Sequence, residues 1–164
     1  MIQLNSLSLE KLDFNKHFGL IQGMSLDNKI KSYIAKDFIK WLEDYQTNNS
    51  DNIEVGKIYV IMDGNREVGI VGSTSFEDGI LNVVYAVKRN LRDRGYGYRI
   101  LKEITNYYLS NIEGIKGIKL EIDKGNKASI GVAKKSEYIK SNDINDKGLE
   151  EWYYLDEVST KKRG

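Results

Sequence analysis

The chain has 164 residues, of which 40% are hydrophobic and 30% charged, and its formal net charge is +1. This composition predicts one globular domain with a substantial core, and the balanced charge gives no general attraction to nucleic acid. Cysteine is absent, which excludes disulfides, thiolate metal sites and a cysteine nucleophile. We expect a cytoplasmic location, because no apolar run is long enough to span a bilayer and the N-terminus lacks a signal-peptide pattern.

The N-terminal third predicts mostly helical structure. Residues 1–8 suggest a short strand, and residues 8–14 suggest the start of a helix. Across residues 30–45, apolar side chains recur at helical spacing between charged ones, which predicts one amphipathic helix lying on a core. Ser25 or Asp27 is placed to cap that helix.

A β-meander is predicted next, after a polar loop. Short apolar runs alternate with turns rich in Gly, Asn and Asp, which is typical of antiparallel strands joined by hairpins. The loop covers residues 47–52, the strands 57–62, 67–72 and 80–87, and the turns 63–66 and 76–79.

The C-terminal half predicts alternating helices and strands. A helix begins near Tyr98, and Gly97, Leu101, Ile104 and Tyr108 share the face that we expect to lie on the sheet. A strand–helix–strand unit of this length implies a parallel pair with a right-handed crossover. The remaining predictions are a strand at 115–122, a helix at 127–135 after an Asn126 cap, closing strands at 138–140 and 152–155, a polar loop at 141–150 and a frayed tail at 160–164.

The turn at residues 92–98 predicts an anion site. It connects a strand to a helix N-terminus, where unpaired N–H groups and the helix dipole favour negative charge, and Gly95 and Gly97 let a ligand approach the backbone. The dinucleotide fingerprint fails because its third position is Ile100, and no P-loop pattern occurs. The neighbouring cations are Lys88, Arg89, Arg92, Arg94 and Arg99.

Over residues 57–155 the order of these features resembles the GNAT superfamily of acyl-CoA-dependent N-acyltransferases. Residues 92–97 match its [Q/R]-x-x-G-x-[G/A] signature, and Asn126, Ala128, Ser129 and Tyr138 match its next helix. The pattern is most similar to the branch that contains ribosomal-protein N-terminal acetyltransferases. The resemblance implies an α+β fold: a mixed, mostly antiparallel twisted sheet of six to seven strands with about four helices, and a central parallel pair splayed to hold CoA.

The resemblance also implies an enzyme that uses acetyl-CoA as acyl donor. The strand end would pair with the pantetheine arm, the Gly-containing loop would hold the pyrophosphate, and Asn126 would bind near the thioester. Arg89, Arg94 and Arg99 are candidates for the ribose phosphate. The predicted cofactor-binding residues are Tyr85, Ala86, Val87, Arg92, Asp93, Arg94, Gly95, Tyr96, Gly97, Tyr98, Asn126 and Ser129.

The catalytic groups match the family less well. Ala133 stands where many members have a tyrosine acid, Asn82 where many have a glutamate, and Glu137 where many have a glycine. Glu121 is our candidate general base, with a strand Glu paired to a lysine as the alternative. Asn82 could orient a water, Tyr138 or Tyr98 could protonate the departing thiolate, and His17 is expected to be inert.

We therefore expect a single acyltransferase domain over residues 1–164, with an acceptor region at about 8–50 and a donor-binding core at about 57–155. Its acceptor would be the amine of a small molecule or peptide. No metal, nucleic-acid partner or membrane partner is expected, and a homodimer stays open. The alternatives are a catalytically weak or inactive CoA-binding regulatory module and a nucleic-acid-binding protein that uses the basic cluster.

Overall fold

The computed structural model describes residues 1–46 and 55–156, and it contains one sheet with helices on both faces. The strands are β1 (Ile2–Gln3), β2 (Ser8–Lys11), β3 (Ile58–Asp63), β4 (Arg66–Glu77), β5 (Ile80–Val87), β6 (Gly117–Ile122), β7 (Ile139–Ile144) and β8 (Glu150–Leu155). The helices are α1 (Phe18–Ser25), α2 (Asn28–Tyr33), α3 (Phe38–Gln46), α4 (Tyr96–Asn111) and α5 (Lys127–Lys135), with a 3₁₀ turn at Arg89–Leu91.

The sheet has the order β1-β2-β3-β4-β5-β6-β8-β7, and every neighbouring pair is antiparallel except β5 and β6. The mixed, mostly antiparallel fold is therefore confirmed. The described residues form eight strands rather than six to seven, and five α-helices rather than about four. The predicted loop at 47–52 and tail at 160–164 lie outside the described residues.

The predicted helix start at residues 8–14 is wrong. Ser8–Lys11 forms β2 and pairs with β3, with Leu9 opposite Ile61. Leu7 and Leu9 are buried in the same core, so their two-residue spacing places them on one face of the sheet, as in a strand.

The helix predicted at residues 30–45 is interrupted. It is two helices, α2 and α3, and each begins beside an aspartate. Asp27 accepts a hydrogen bond from the N–H of Lys29 (3.0 Å), as predicted, and Asp37 accepts one from the N–H of Lys40 (3.1 Å). A side chain that caps a new helix competes with continuation of the old one, so Asp37 accounts for the break.

Two cores sit on opposite faces of the sheet. One packs α4 and α5 against the strands, and the other packs α1, α2 and α3 against β3 and β4. Leu101, Ile104 and Tyr108 of α4 are buried in the first core, as predicted. Gly97 does not face the sheet, because a Cβ there would lie 3.1 Å from Cγ2 of Val132 in α5. Its lack of a side chain allows close contact between the two helices.

The parallel pair β5 and β6 opens part-way along its length. Its register covers only Ile80 with Gly117, Leu81 with Ile118 and Asn82 with Lys119. Both strands continue beyond that point, to Val87 and Ile122, while their outer edges remain paired with β4 and β8. This divergence is the predicted splay, and it leaves a gap through the sheet. A shift in the β4 register at Ser73/Ser75 lies opposite the start of the gap.

Candidate active site

A cleft of about 510 Å³ occupies the gap between β5 and β6. Side chains alternate between the faces of a strand, so the cleft receives residues from both cores. We call the side beneath α4 and α5 the donor half and the side beneath α2 and α3 the acceptor half. The donor half is lined by Tyr85, Val87, Leu120, Ile122, Ser129 and Val132, and the acceptor half by Ile30, Tyr33, Trp41, Tyr45, Asn82 and Glu121.

The loop before α4 has the geometry of an anion cradle. Asp93 and Gly95 both take left-handed conformations, with φ of 63° and 81°. No side chain caps the N-terminus of this 16-residue helix, so the N–H groups of its first turn are available at the loop. Asp93, Gly95, Gly97 and Tyr98 line the cleft. Alternating backbone conformations of this kind, followed by a helix dipole, favour phosphate.

Arg92, the first residue of the signature, binds another side chain. Its Nη1 and Nη2 donate to Oδ1 and Oδ2 of Asp27 at 3.1 and 2.5 Å. Burial raises the pKa of Asp27, but the hydrogen bonds from Arg92 and from the N–H of Lys29 outweigh it, and the net pKa lies below its usual value. The arginine therefore fixes the start of α2 to the anion loop.

Helix α2 is also fixed at its other end. The hydroxyl of Tyr33 donates to the carbonyl oxygen of Gly125 at 3.2 Å. Gly125 immediately precedes Asn126, whose Oδ1 caps α5 by accepting from the N–H of Ser129 at 3.3 Å. Helix α2 thus connects the anion loop to the start of α5.

Glu121 lies in the acceptor half with both carboxylate oxygens bound. The Nδ2 group of Asn82 donates to Oε1 at 2.7 Å, and that of Asn145 donates to Oε2 at 2.6 Å. The Nζ of Lys147 lies 3.5 Å from Oε1. As predicted, Glu121 projects from the face of β6 opposite Leu120 and Ile122, both of which are buried. Asn82 contacts the carboxylate directly and holds it in place.

Tyr85 contributes a buried phenol to the donor half. Among the residues that the structure describes, its Oη makes no hydrogen bond of standard geometry, although the side chain of Ser129 lies near enough to interact with it. Burial raises the pKa of Tyr85, so the oxygen keeps its proton at neutral pH. We had predicted only a backbone role for Tyr85. The alternation of β5 could have revealed its side chain, which shares a face with Val83 and Val87.

Three of the predicted site residues, Arg94, Tyr96 and Tyr138, do not line the cleft. The hydroxyl of Tyr138 is buried and shares a 2.6 Å hydrogen bond with Thr105, and burial raises its pKa. The hydroxyl of Tyr96 donates to Asp63 at 2.6 Å, although its backbone N–H still belongs to the first turn of α4. The side chains of Tyr96 and Tyr138 therefore belong to the core around the cleft, whereas Arg94 is exposed.

Three other residues noted in the sequence, Arg99, His17 and Glu137, have structural contacts or conformations of their own. Arg99 contacts Asp63 at 3.5 Å and Ser6 at 3.0 Å, away from the cleft. His17 is buried and its Nδ1 accepts from the N–H of Asp13 at 3.0 Å. Glu137 has a φ of 67°, a conformation that favours glycine, the residue that many members of the resembled family have there.

A comparison with protein families places residues 22–138 in a family described as an acetyltransferase (GNAT) domain. Among curated protein sequences, none matches the chain significantly. The chain has the fold of aminoglycoside acetyltransferase AAC(6')-Ib, solved in complex with coenzyme A. The TM-score is 0.73 at 13% identity, covering 97% of this chain and 100% of the other.

Two further solved structures share the fold. Spermidine N-acetyltransferase from Vibrio cholerae, in complex with CoA and spermine, gives a TM-score of 0.73 at 11% identity over 93% of this chain and 96% of the other. The ribosomal L7/L12 α-N-protein acetyltransferase RimL, in complex with CoA, gives a TM-score of 0.69 at 15% identity over 93% of this chain and 98% of the other.

Two negative findings apply to residues 1–46 and 55–156. No helix there has the length and apolar character needed to cross a membrane. No cluster of three or more acidic or histidine side chains that could hold a metal ion occurs in the same residues.

Proposed function

Because the chain belongs to the GNAT family of acetyltransferases, we propose that it transfers an acetyl group from acetyl-CoA directly to a primary amine of a small molecule or a protein N-terminus. The observation that carries the proposal is the cleft through the sheet. It has an anion cradle in its donor half and a fixed carboxylate in its acceptor half, so one substrate can enter from each face.

The donor half suits a coenzyme A thioester. The loop at residues 93–98 offers N–H groups to the pyrophosphate, and the inner edge of β5 beyond Asn82 is not paired with β6. That edge can pair with the amides of a pantetheine arm in the way that a peptide extends a sheet. Asn126, Ser129, Ala86 and Val87 also line the cleft. Acetyl-CoA supplies the activated acyl carbon.

Glu121 is suited to accept a proton from the attacking amine. Each of its oxygens receives one amide hydrogen bond, which leaves further lone pairs for a substrate N–H. The amine must lose a proton as it attacks, and a fixed carboxylate beside the gap can take it. A backbone N–H near Val87 would stabilise the negative charge that develops on the carbonyl oxygen.

The acceptor half supports an amine substrate that also carries apolar surface. Tyr33, Trp41 and Tyr45 are aromatic residues that line the same cleft as Glu121, and the Trp41 and Tyr45 rings meet edge to face at 4.5 Å. The solved relatives were bound to amine acceptors, including kanamycin and spermine. We propose that residues of about 8–50 form the acceptor region and about 57–155 the donor-binding core of a single domain.

Glu121→Gln tests this proposal. We expect turnover to fall by roughly tenfold or more while acetyl-CoA still binds, because the amide cannot take the proton of the amine. The measurement is thiol release from acetyl-CoA with a panel of monoamines, polyamines, aminoglycosides and N-terminal peptides. Glu77→Gln, on an exposed glutamate at the end of β4, is the matched control. Unchanged turnover in Glu121→Gln would remove Glu121 from the mechanism.

A second candidate is a CoA-binding module without catalysis. It is favoured by Ala133 and Asn82, which stand where many family members have a tyrosine and a glutamate, and by the ion pair between Lys147 and Glu121. Such a module would bind CoA in a calorimeter and release no thiol with any amine of the panel. Thiol release coupled to N-acetylated product rejects it.

A further inference from the structure

Tyr85 has a buried hydroxyl to which no function has been assigned, because only the backbone of β5 is predicted to bind the pantetheine arm. Its Oη has no hydrogen-bond partner in the described part of the chain, although its ring lines the donor half of the cleft. Buried hydroxyls are normally hydrogen-bonded, so an orphaned one at a ligand cleft indicates a partner that arrives with the ligand. Resting on the function proposed above, we propose that Tyr85 donates its phenolic proton to the departing thiolate.

The position of Tyr85 explains how this role fits the surrounding helix. Ser129 and Ala133 lie one turn apart on α5 and therefore share a face. Side chains on a helix point back toward its N-terminus, so a long side chain at position 133 would extend over Ser129. Ala133 is fully buried and carries no hydroxyl. Tyr85 approaches Ser129 from β5 and brings a hydroxyl to that region from the sheet.

The other tyrosines near the cleft are engaged elsewhere. The hydroxyl of Tyr138 is bound to Thr105 at 2.6 Å, and Tyr138 does not line the cleft. Tyr98 lines the cleft at the anion loop, where its ring lies under the Nζ of Lys135 at 4.3 Å. The Oη of Tyr85, by contrast, makes no hydrogen bond of standard geometry to any residue that the structure describes. Tyr85 also belongs to the strand end, residues 85–87, that is proposed to hold the pantetheine arm.

The proposed step is balanced in protons and electrons. The amine nitrogen forms a bond to the acyl carbon, and Glu121 takes one proton from that nitrogen. The carbon–sulfur bond breaks with its electron pair going to sulfur, and Tyr85 gives its proton to that sulfur. Solvent then removes the proton from Glu121 and restores the one on Tyr85, so the amide and the free thiol leave a chemically unchanged enzyme.

The test is Tyr85→Phe, which removes one oxygen and retains the ring. With acetyl-CoA and the best acceptor of the panel, we expect the single-turnover rate constant to fall roughly 100-fold or more, because general acid–base catalysis typically contributes about 10²- to 10⁴-fold. A selenolate is a weaker base than a thiolate and needs less protonation on leaving. With acetyl-seleno-CoA the same variant should therefore approach the wild-type rate. Tyr108→Phe, at a buried tyrosine of α4 outside the cleft lining, is the matched control.

The outcomes separate the two proposals. Loss with the thioester and recovery with the selenoester supports Tyr85 as the proton donor. Equal rates in Tyr85→Phe and wild type, or a loss of equal size with both donors, overturns that role and leaves amine acetylation intact. A loss that appears in Tyr138→Phe and not in Tyr85→Phe also overturns it. Failure of the wild type to transfer acetyl groups to any amine, with CoA still bound, overturns the proposed function and the inference with it.

Discussion

At the scale of single residues, a buried carboxylate ties the N-terminus to the helix that carries the anion loop. Oε1 of Glu103, in α4, accepts hydrogen bonds from the N–H groups of Ser6 (2.7 Å) and Leu7 (3.0 Å), and Oε2 contacts the hydroxyl of Ser6. Burial raises the pKa of Glu103, but these hydrogen bonds outweigh it and hold the net pKa below its usual value. The carboxylate therefore stabilises the folded state in its charged form.

Glu103→Gln should lower the free energy of unfolding at pH 7 by about 1–3 kcal/mol, because a neutral amide replaces the charged acceptor of these hydrogen bonds. A depressed carboxyl pKa stabilises the fold above the unfolded-state value, near 4.5, and that contribution is lost as the pH falls through the lower folded-state value. The difference in unfolding free energy between wild type and Glu103→Gln should therefore become smaller in acid. Urea titrations at pH 7 and at about pH 3 measure it, with Glu113→Gln, at an exposed position, as control. A difference in unfolding free energy that does not change with pH would contradict a stabilising role for the charged Glu103 carboxylate.

Sequence reasoning located single residues when local spacing decided their position. Glu121 is predicted on the strand face opposite Leu120 and Ile122, where the structure has it, and of the two predicted caps, Ser25 and Asp27, Asp27 is the one that caps α2. The partner of Arg92 could not be predicted, because Asp27 is 65 residues away and meets it only through tertiary structure. The same limit applies to Asn145, which binds Glu121 from the closing strands.

At the scale of elements, the donor half depends on close contact between β4 and β5. Gly69 pairs with Val87, and a Cβ on Gly69 would lie 2.1 Å from the carbonyl oxygen of Ala86. That atom is backbone and cannot move without displacing β5, so only glycine fits. The pattern of apolar residues predicted both strands and their turn, but a steric requirement between two backbones leaves no signal in hydrophobic periodicity.

Gly69→Ala should therefore displace the end of β5 and weaken both stability and CoA binding. The expected loss of unfolding free energy is about 2 kcal/mol or more, in the range of strained or overpacked substitutions. Thermal unfolding and calorimetric titration with CoA measure the two effects. Gly23→Ala is the matched control: it lies in α1 with open space around its Cβ and should stabilise by about 0.5–1 kcal/mol. Equal stability of the two variants would show that β5 can accommodate the clash.

The interrupted helix shows what periodicity can and cannot decide. Ile30, Phe38 and Leu42 all face the core as predicted, because α2 and α3 keep the same apolar side toward the sheet. The break near Asp37 was not predicted, because the sequence pattern of a polar residue between helical positions is the same for a solvated side chain and for the cap of a new helix. The break gives α2 the short length with which it connects Arg92 to Gly125.

At the scale of the whole molecule, the sheet separates the two halves of the cleft. The apolar donor-half residues pack in the core beneath α4 and α5, and Ile30, Trp41 and Tyr45 of the acceptor half pack in the core beneath α2 and α3. The fold class was predictable because the signature loop and the order of elements along residues 57–155 resemble the GNAT pattern. The identity of the acceptor half was not, because its aromatic residues have the spacing of ordinary core positions and only the splay of β5 and β6 brings them to a ligand.

This separation makes the two binding events independently testable through Trp41. Its ring stacks near Phe38 at a centroid distance of 5.8 Å and meets Tyr45 at 4.5 Å, on the wall of the acceptor half. Trp41→Ala should raise the KM for the amine by about tenfold, which corresponds to losing roughly 1.4 kcal/mol of aromatic contact. The Kd for CoA should stay the same, because no donor-half contact is removed.

Ile39→Ala is the control for Trp41→Ala, since Ile39 is exposed on the same helix and does not line the cleft. It should leave both constants unchanged. Initial rates over a matrix of amine and acetyl-CoA concentrations give the KM values, and calorimetry gives the CoA affinity. If Trp41→Ala weakened CoA binding and amine binding by the same factor, the two halves would act as one site and α2 would be the element that couples them. An effect on the amine alone would mean that acceptor specificity can change on one face of the sheet while the donor site on the other face stays intact.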